Sequence, residues 1–135
     1  MIVLDASVMI SAFRRRDGRE VSGDAIELAR LIDDDAPLAV PGIACQEILA
    51  GARTAMHFDR LRQLLSGFPV LLADQSVHHQ AARVAAMCRG SGIAATAVDC
   101  LVAAHALAAG GWLFTLDRDF EPIARRCGLR LHRWR

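Results

Sequence analysis

The chain has 135 residues, 53% hydrophobic and 23% charged, with a formal net charge of +1, which is globular and far from the low hydrophobicity and high net charge of disordered chains. Such a length accommodates one domain with its own core, and the balanced charge gives no whole-chain nucleic-acid signature. All 16 basic residues are arginine, and the lack of lysine excludes a Walker A loop and Schiff-base catalysis.

In chain order, Ile2-Val3-Leu4 reads as a short strand, and Asp5-Ala6-Ser7 leads into a helix over Val8 to Phe13. No apolar stretch reaches the roughly 18 uncharged residues of a membrane span, the first run being broken by Asp5 and by Arg14-Arg15-Arg16. A loop around Gly18 to Gly23 precedes a helix capped by Asp24 that carries Ile26, Leu28, Leu31 and Ile32 and stops at Asp33-Asp34-Asp35. Leu38-Ala39-Val40 is a second strand, and Pro41 suits the first turn of a helix containing Ile43, Ile48 and Leu49, with Glu47 bordering its apolar stripe.

A further helix spans Met56 to Leu65. Val70-Leu71-Leu72 is a third strand, followed by an Ala-rich helix from about Ser76 to Cys88. After Gly90-Ser91-Gly92, the segment Val98 to Ala109 is apolar nearly all round and is closed by Gly110-Gly111, which predicts a largely buried helix. Trp112 to Leu116 is the most strand-like run. Asp117 begins a turn into a helix around Phe120 to Arg126, and Leu129-Arg130-Leu131 forms a last strand.

Short strands alternating with helices predict an α/β fold: a single domain over residues 1–135 with a mainly parallel sheet and helices on both faces. Ligands of such sheets bind beyond the carboxyl ends of the strands, where Asp5 and Asp117 fall. Cys45, Cys88, Cys100 and Cys127 are widely separated, form no C-x-x-C pair and lie in apolar surroundings. They read as reduced thiols, and the expected compartment is the cytoplasm.

Four carboxylates sit at or just beyond apolar runs: Asp5, Glu47, Asp99 and Asp117. Each has a local explanation: Asp5 as a helix cap, Asp99 at the positive end of its helix, Asp117 as a turn residue and Glu47 as a solvated side chain. The set is harder to explain locally. Asp99 opens a helix expected to be buried, with no arginine between Arg89 and Arg118, so a distant cation or an ion must balance it. Acids converging on one rim repel one another unless a positive charge lies between them. An all-oxygen donor set suits a hard cation, Mg²⁺ or Mn²⁺. Zinc fits poorly, because His57, His78, His79, His105 and His132 show no ligand spacing. His105 reads as a hydrogen-bonded core or rim histidine.

Four runs carry a family resemblance: Ile2-Val3-Leu4-Asp5-Ala6-Ser7, Glu47-Ile48-Leu49-Ala50-Gly51-Ala52-Arg53, Asp99-Cys100-Leu101-Val102-Ala103-Ala104-His105-Ala106, and Thr115-Leu116-Asp117-Arg118-Asp119-Phe120. In this order they resemble the blocks of a PIN domain, and more closely those of the VapC ribonuclease toxins of bacterial toxin-antitoxin pairs. The resemblance covers essentially the whole chain. It implies a PIN-like fold, a Mg²⁺- or Mn²⁺-dependent RNA endonuclease, RNA as substrate, inhibition by a cognate VapB-type antitoxin, and a homodimer. The catalytic set it implies is Asp5, Glu47, Asp99 and Asp117, with Asp5, Asp99 and Asp117 as metal ligands. Asp119 stands as the alternative to Asp117.

Metal-held carboxylates suit phosphodiester hydrolysis, with Glu47 or Asp117 accepting the proton of the attacking water. Ser7 and Thr115 are candidates to orient carboxylates, with local capping as their default role. Arg14 to Arg16 or Arg118 could guide an RNA backbone. The arginines near residues 14–19 and 125–135 otherwise read as solvated faces. Ile10, Phe13, Ile26 and Leu61 are candidates for an apolar groove that receives a partner helix. The alternative function is a non-catalytic PIN-like module that binds RNA or protein. A phosphotransfer domain is disfavoured by the missing lysine.

Overall fold

The computed structural model describes residues 1–14 and 21–134. Arg15, Arg16, Arg19 and Arg135 of the two basic clusters, and most of the loop expected around Gly18, lie outside the described residues. Five strands, β1 (Ile2–Leu4), β2 (Leu38–Pro41), β3 (Val70–Leu71), β4 (Trp112–Phe114) and β5 (Arg130–Leu131), form one sheet of order β3-β2-β1-β4-β5. Every pairing is parallel, with Val3 opposite Ala39 on one side and Leu113 on the other. The expected mainly parallel sheet is therefore wholly parallel.

Seven helices are present among the described residues: α1 (Ala6–Phe13), α2 (Gly23–Asp33), α3 (Gly42–Ala50), α4 (Ala55–Leu65), α5 (Gln75–Gly90), α6 (Ala97–Ala108) and α7 (Phe120–Cys127). Side chains alternate across a strand, and the sheet divides two cores accordingly. Leu4 and Phe114 pack with Val8, Met9, Leu28, Leu31 and Ile48 from α1 to α3, joined by Leu61 and Leu65 of α4. Val3 and Leu113 pack with Val84, Cys88, Cys100, Phe120 and Ile123 from α5 to α7. A central parallel strand covered on both faces reads as an uninterrupted aliphatic run, which is why Ile2-Val3-Leu4 was legible.

Three local expectations change. Ser22, not Asp24, is the N-cap of α2, and Asp24 is buried in its first turn. Pro41 ends β2 and caps α3 rather than lying within the first turn. α6 is buried as expected through Cys100 and Val102 to Ala106, but Thr96 caps it in a reciprocal box with Asp99. Beyond its end, Gly110 adopts φ +63°, and a Cβ on Gly111 would collide with the Met1 carbonyl oxygen. The second glycine lets β4 start against β1, with the Trp112 amide donating to that same oxygen at 3.0 Å. Among the described residues, no helix is long and apolar enough to cross a membrane.

Candidate active site

Asp5 follows β1 directly and is 7% exposed. Its backbone takes the N-cap position of α1, yet its side chain makes no cap hydrogen bond. The carboxylate instead faces the next strand: Ser7 Oγ donates to Asp5 Oδ2 at 2.7 Å and Thr115 Oγ1 donates to the same oxygen at 2.8 Å. Each hydroxyl also accepts a backbone amide, Ser7 from Leu116 and Thr115 from Asp117, both at 3.0 Å. Neither Ser7 nor Thr115 is a cap, contrary to their default reading. Together they pin the carboxylate to the loop that leaves β4.

α3 brings Glu47 and the start of α6 brings Asp99 to the same end of the sheet. Glu47 reaches solvent, yet the packing around its carboxyl, then the charges of Asp5 and Asp99, push its pKa above the ordinary carboxylate value. Those last two effects report three acids from three elements within mutual electrostatic reach. Asp99 Oδ2 accepts the Thr96 amide at 3.2 Å while its own amide donates to Thr96 Oγ1 at 3.0 Å. One of its oxygens is thus engaged locally, a partner that the search for a nearby arginine overlooked.

Asp117 stands at one side of this group. Its Oδ1 accepts the Asp119 amide at 2.9 Å, and it is not among the charges that raise Glu47. It joins the other acids through Thr115, whose hydroxyl contacts both Asp5 and the Asp117 amide. Asp119 is the exposed N-cap of α7 and makes no side-chain cap bond. Among the described residues, no three His, Cys, Asp or Glu side chains stand together at metal-coordinating spacing. Even so, the chemistry of the site suits a hard cation. Asp5, Glu47 and Asp99 are all oxygen donors, the charges of Asp5 and Asp99 act on Glu47, and Mg²⁺ keeps several waters and needs only one or two direct carboxylates.

Two concavities flank the acids. On the Glu47 side, a groove of ≈ 860 Å³ is lined by Ile10, Phe13, Ile48 and Leu61, with Arg14, Arg53, His57 and Arg60 around it. On the Asp117 side, a cavity of ≈ 980 Å³ lies between α2, the loop after β4 and the C-terminal segment. Of the four apolar candidates, Ile10 is exposed and Phe13 half-buried in the groove. Leu61 is buried in the core, and Ile26 is exposed in the opposite cavity. Arg53 follows α3 and Arg60 lies on α4 two residues before Arg62, and no sequence pattern relates either to Glu47. Only the packing of α4 against α3 brings them beside Glu47.

Outside the site, His105 is buried in α6, at the core or rim position expected of it. Burial, then the nearby His78, lowers its pKa and keeps it neutral. All four cysteines are free thiols.

The model of the PIN domain family matches residues 2–126. The chain is 32% identical to ribonuclease VapC11 of Mycobacterium tuberculosis over 133 residues, 96% of each chain. A VapC ribonuclease of Mycobacterium bovis matches equally well. Among solved structures, VapBC2 from Rickettsia felis bound to a promoter DNA fragment superposes with a TM-score of 0.80 at 18% identity over all of both chains. FitAcB from Neisseria gonorrhoeae gives 0.77 at 20% identity, covering 98% of this chain and 97% of that one.

Proposed function

Because this chain belongs to the PIN domain family, and its relatives at 32% identity are VapC ribonucleases, we propose that it is a Mg²⁺- or Mn²⁺-dependent endoribonuclease, the toxin of a bacterial toxin-antitoxin pair, acting in the cytoplasm. The observation that carries the reading is the gathering of Asp5, Glu47 and Asp99 from three elements at one end of the sheet, where burial and then the charges of Asp5 and Asp99 raise the Glu47 pKa. Carboxylates brought together at the carboxyl end of a parallel sheet are an arrangement that a divalent cation stabilises.

Asp5 and Asp99 would hold the ion, with Asp117 as the further ligand. When bound, the ion supplies a polarised phosphate and a water acidic enough to ionise near neutral pH. The chain's own residues do the rest. Ser7 and Thr115 fix the Asp5 carboxylate, and ligand orientation of this kind commonly governs metal affinity. Glu47, with its raised pKa, accepts the proton of the attacking water. Arg14, Arg53 and Arg60 attract the RNA backbone.

Purified protein with Mg²⁺ or Mn²⁺ should cleave cellular RNA, and Asp5→Ala and Asp99→Ala variants should not. Equal cleavage by these variants would remove the site assignment. One observation favours a second reading, a non-catalytic module: the acids as placed do not close to coordination spacing among the described residues. Titration separates the two, since a protein that binds neither ion at millimolar concentration is the module.

The silencing partner would be an antitoxin whose amphipathic helix lies in the groove beside Glu47, its apolar stripe on Ile10, Phe13 and Ile48 and its acidic flanks toward Arg53 and Arg60. A homodimer completes the reading, and light scattering checks it.

A further inference from the structure

Resting on the ribonuclease reading, we infer that residues 132–134 form a strap that positions Asp5 for the cation: the strap grips Phe114, and Phe114 sets Thr115, whose hydroxyl orients the Asp5 carboxylate.

The strap lies beyond residues 2–126, the stretch that the PIN family model matches. It continues β5 along β4, with the His132 amide donating to the Leu113 carbonyl oxygen at 2.7 Å. Side chains alternate along an extended chain, and successive residues of the strap accordingly reach different partners. His132 and Trp134 face Phe114, their ring centroids 5.1 and 5.0 Å from its own and their planes tilted by 55° and 45°. Tilted aromatic pairs at this separation attract one another beyond the area they bury. Arg133 turns instead to α7, where its guanidinium donates to both oxygens of Glu121 at 2.8 and 3.0 Å.

Both rings are also anchored on α2. His132 Nε2 lies 2.8 Å from Glu27 Oε1, and Trp134 lies against Gly23, where a Cβ would come 3.7 Å from its Nε1. The strap is thus tied to α2 and α7 and packs two rings on one buried phenylalanine. That phenylalanine is the point where the sheet meets the site. Its carbonyl oxygen accepts the Asp5 amide at 3.0 Å, and the next residue, Thr115, donates to Asp5 Oδ2 at 2.8 Å. From Thr115 to Arg118 the loop is half-buried or exposed, so its own packing holds it weakly. A shift of Phe114 therefore displaces both a backbone partner and a side-chain partner of Asp5. Orienting partners of ligand carboxylates govern metal affinity, and His132 and Trp134 act on Asp5 through Thr115 as positioning residues.

The test compares Trp134→Ala, Trp134→Phe and Val84→Ala in the full chain. Val84 is buried in the other core, so its truncation destabilises the fold without touching the strap. Thermal melts verify that each variant is folded at the assay temperature, and Mn²⁺ calorimetry gives the readout. Trp134→Ala should weaken Mn²⁺ binding about tenfold, the lower end of the range for groups that orient metal ligands, and should lower kcat on RNA while KM stays unchanged. Trp134→Phe keeps a ring beside Phe114 and should recover most of the affinity, and Val84→Ala should retain it. If Trp134→Ala melts below the assay temperature, Arg133→Ala, which frees the strap from α7 at an exposed position, takes its place and should also weaken Mn²⁺ binding. Wild-type affinity in the strap variant, or an equal loss in Val84→Ala, assigns the strap to stability alone and overturns the proposal while leaving the ribonuclease reading intact. A wild type that binds no Mn²⁺ and cuts no RNA overturns both.

Discussion

Thr115 Oγ1 donates to Asp5 Oδ2 at 2.8 Å across the seam between β4 and β1, and the same hydroxyl accepts the Asp117 amide at 3.0 Å. One side chain therefore sets the position of a carboxylate at one strand end and of the loop at the next. Thr115→Val keeps the shape and removes the donor. Loss of an orienting contact to a ligand carboxylate typically costs about 10–100-fold in metal affinity, and the variant should show a loss in that range by Mn²⁺ calorimetry. Thr115→Ser, which restores the hydroxyl, should recover most of it. An unchanged affinity in Thr115→Val would show that Ser7 alone suffices.

The raised pKa of Glu47 has an opposite sign for stability and for activity. Its carboxyl in the native chain keeps its proton to a higher pH than in the unfolded chain, whose value is near 4.5. The native state then binds more protons across that interval, and stability falls as pH rises from about 4.5 through the native value. Glu47→Gln removes the ionisation. At pH 7 without metal it should melt above the wild type, and the difference should vanish below pH 4. The variant should lose RNA cleavage throughout. A lower melting temperature at pH 7 would mean that Glu47 is stabilising and that its repulsion by Asp5 and Asp99 is not felt.

The Asp5 contact also marks where sequence reading succeeds and fails. β1 and β4 announce themselves because strands buried on both faces are continuous aliphatic runs, and the acids at their ends follow from that. The partner of Asp5 does not announce itself. Asp-Ala-Ser is a cap pattern locally, whereas Thr115 lies 110 residues away and becomes a neighbour only through strand pairing. Asp99 is the reverse case. Its Thr96 partner stands three residues before it in a spacing that marks a capping box, but attention to missing arginines hid a local answer. Arg53 ends the second of the family-like runs and Arg60 stands near Arg62, but neither position signals a groove, since the two share one only when α4 folds onto α3.

Glu27 links α2 to the C-terminal segment: Arg30 contacts both of its oxygens, at 2.6 and 2.8 Å, and His132 Nε2 lies 2.8 Å from Oε1. The His132 ring in turn lies 5.1 Å from Phe114, the residue before Thr115. With its pKa lowered from 4.5 to about 2, Glu27 contributes stability that is present above pH 4.5 and is lost as pH falls toward 2. Glu27→Gln should therefore be less stable than the wild type at pH 7, and the two denaturation midpoints should converge near pH 2. A constant gap across that range would assign the loss to packing instead of charge. His132→Ala should lose about 1.5–3 kcal/mol, the worth of one hydrogen bond to a charged group, as read by urea denaturation, with Arg30 still contacting both Glu27 oxygens.

The groove on the Glu47 side combines an apolar floor with three arginines, and two different occupants would use it in different proportions. RNA depends on charge, so Arg60→Glu should weaken RNA binding to an Asp99→Ala background and flatten its salt dependence. An amphipathic helix depends on both, so Ile10→Asp should weaken antitoxin binding strongly while leaving RNA affinity within about threefold, a spread below the tenfold that 1.4 kcal/mol gives. Ile10 is 43% exposed, and the substitution leaves the core intact. Equilibrium titrations of labelled RNA and of the antitoxin against both variants resolve the two contributions. If Ile10→Asp weakens neither ligand, the helix lies elsewhere. If Arg60→Glu leaves RNA binding and its salt slope unchanged, the backbone approaches the acids from the Arg118 side.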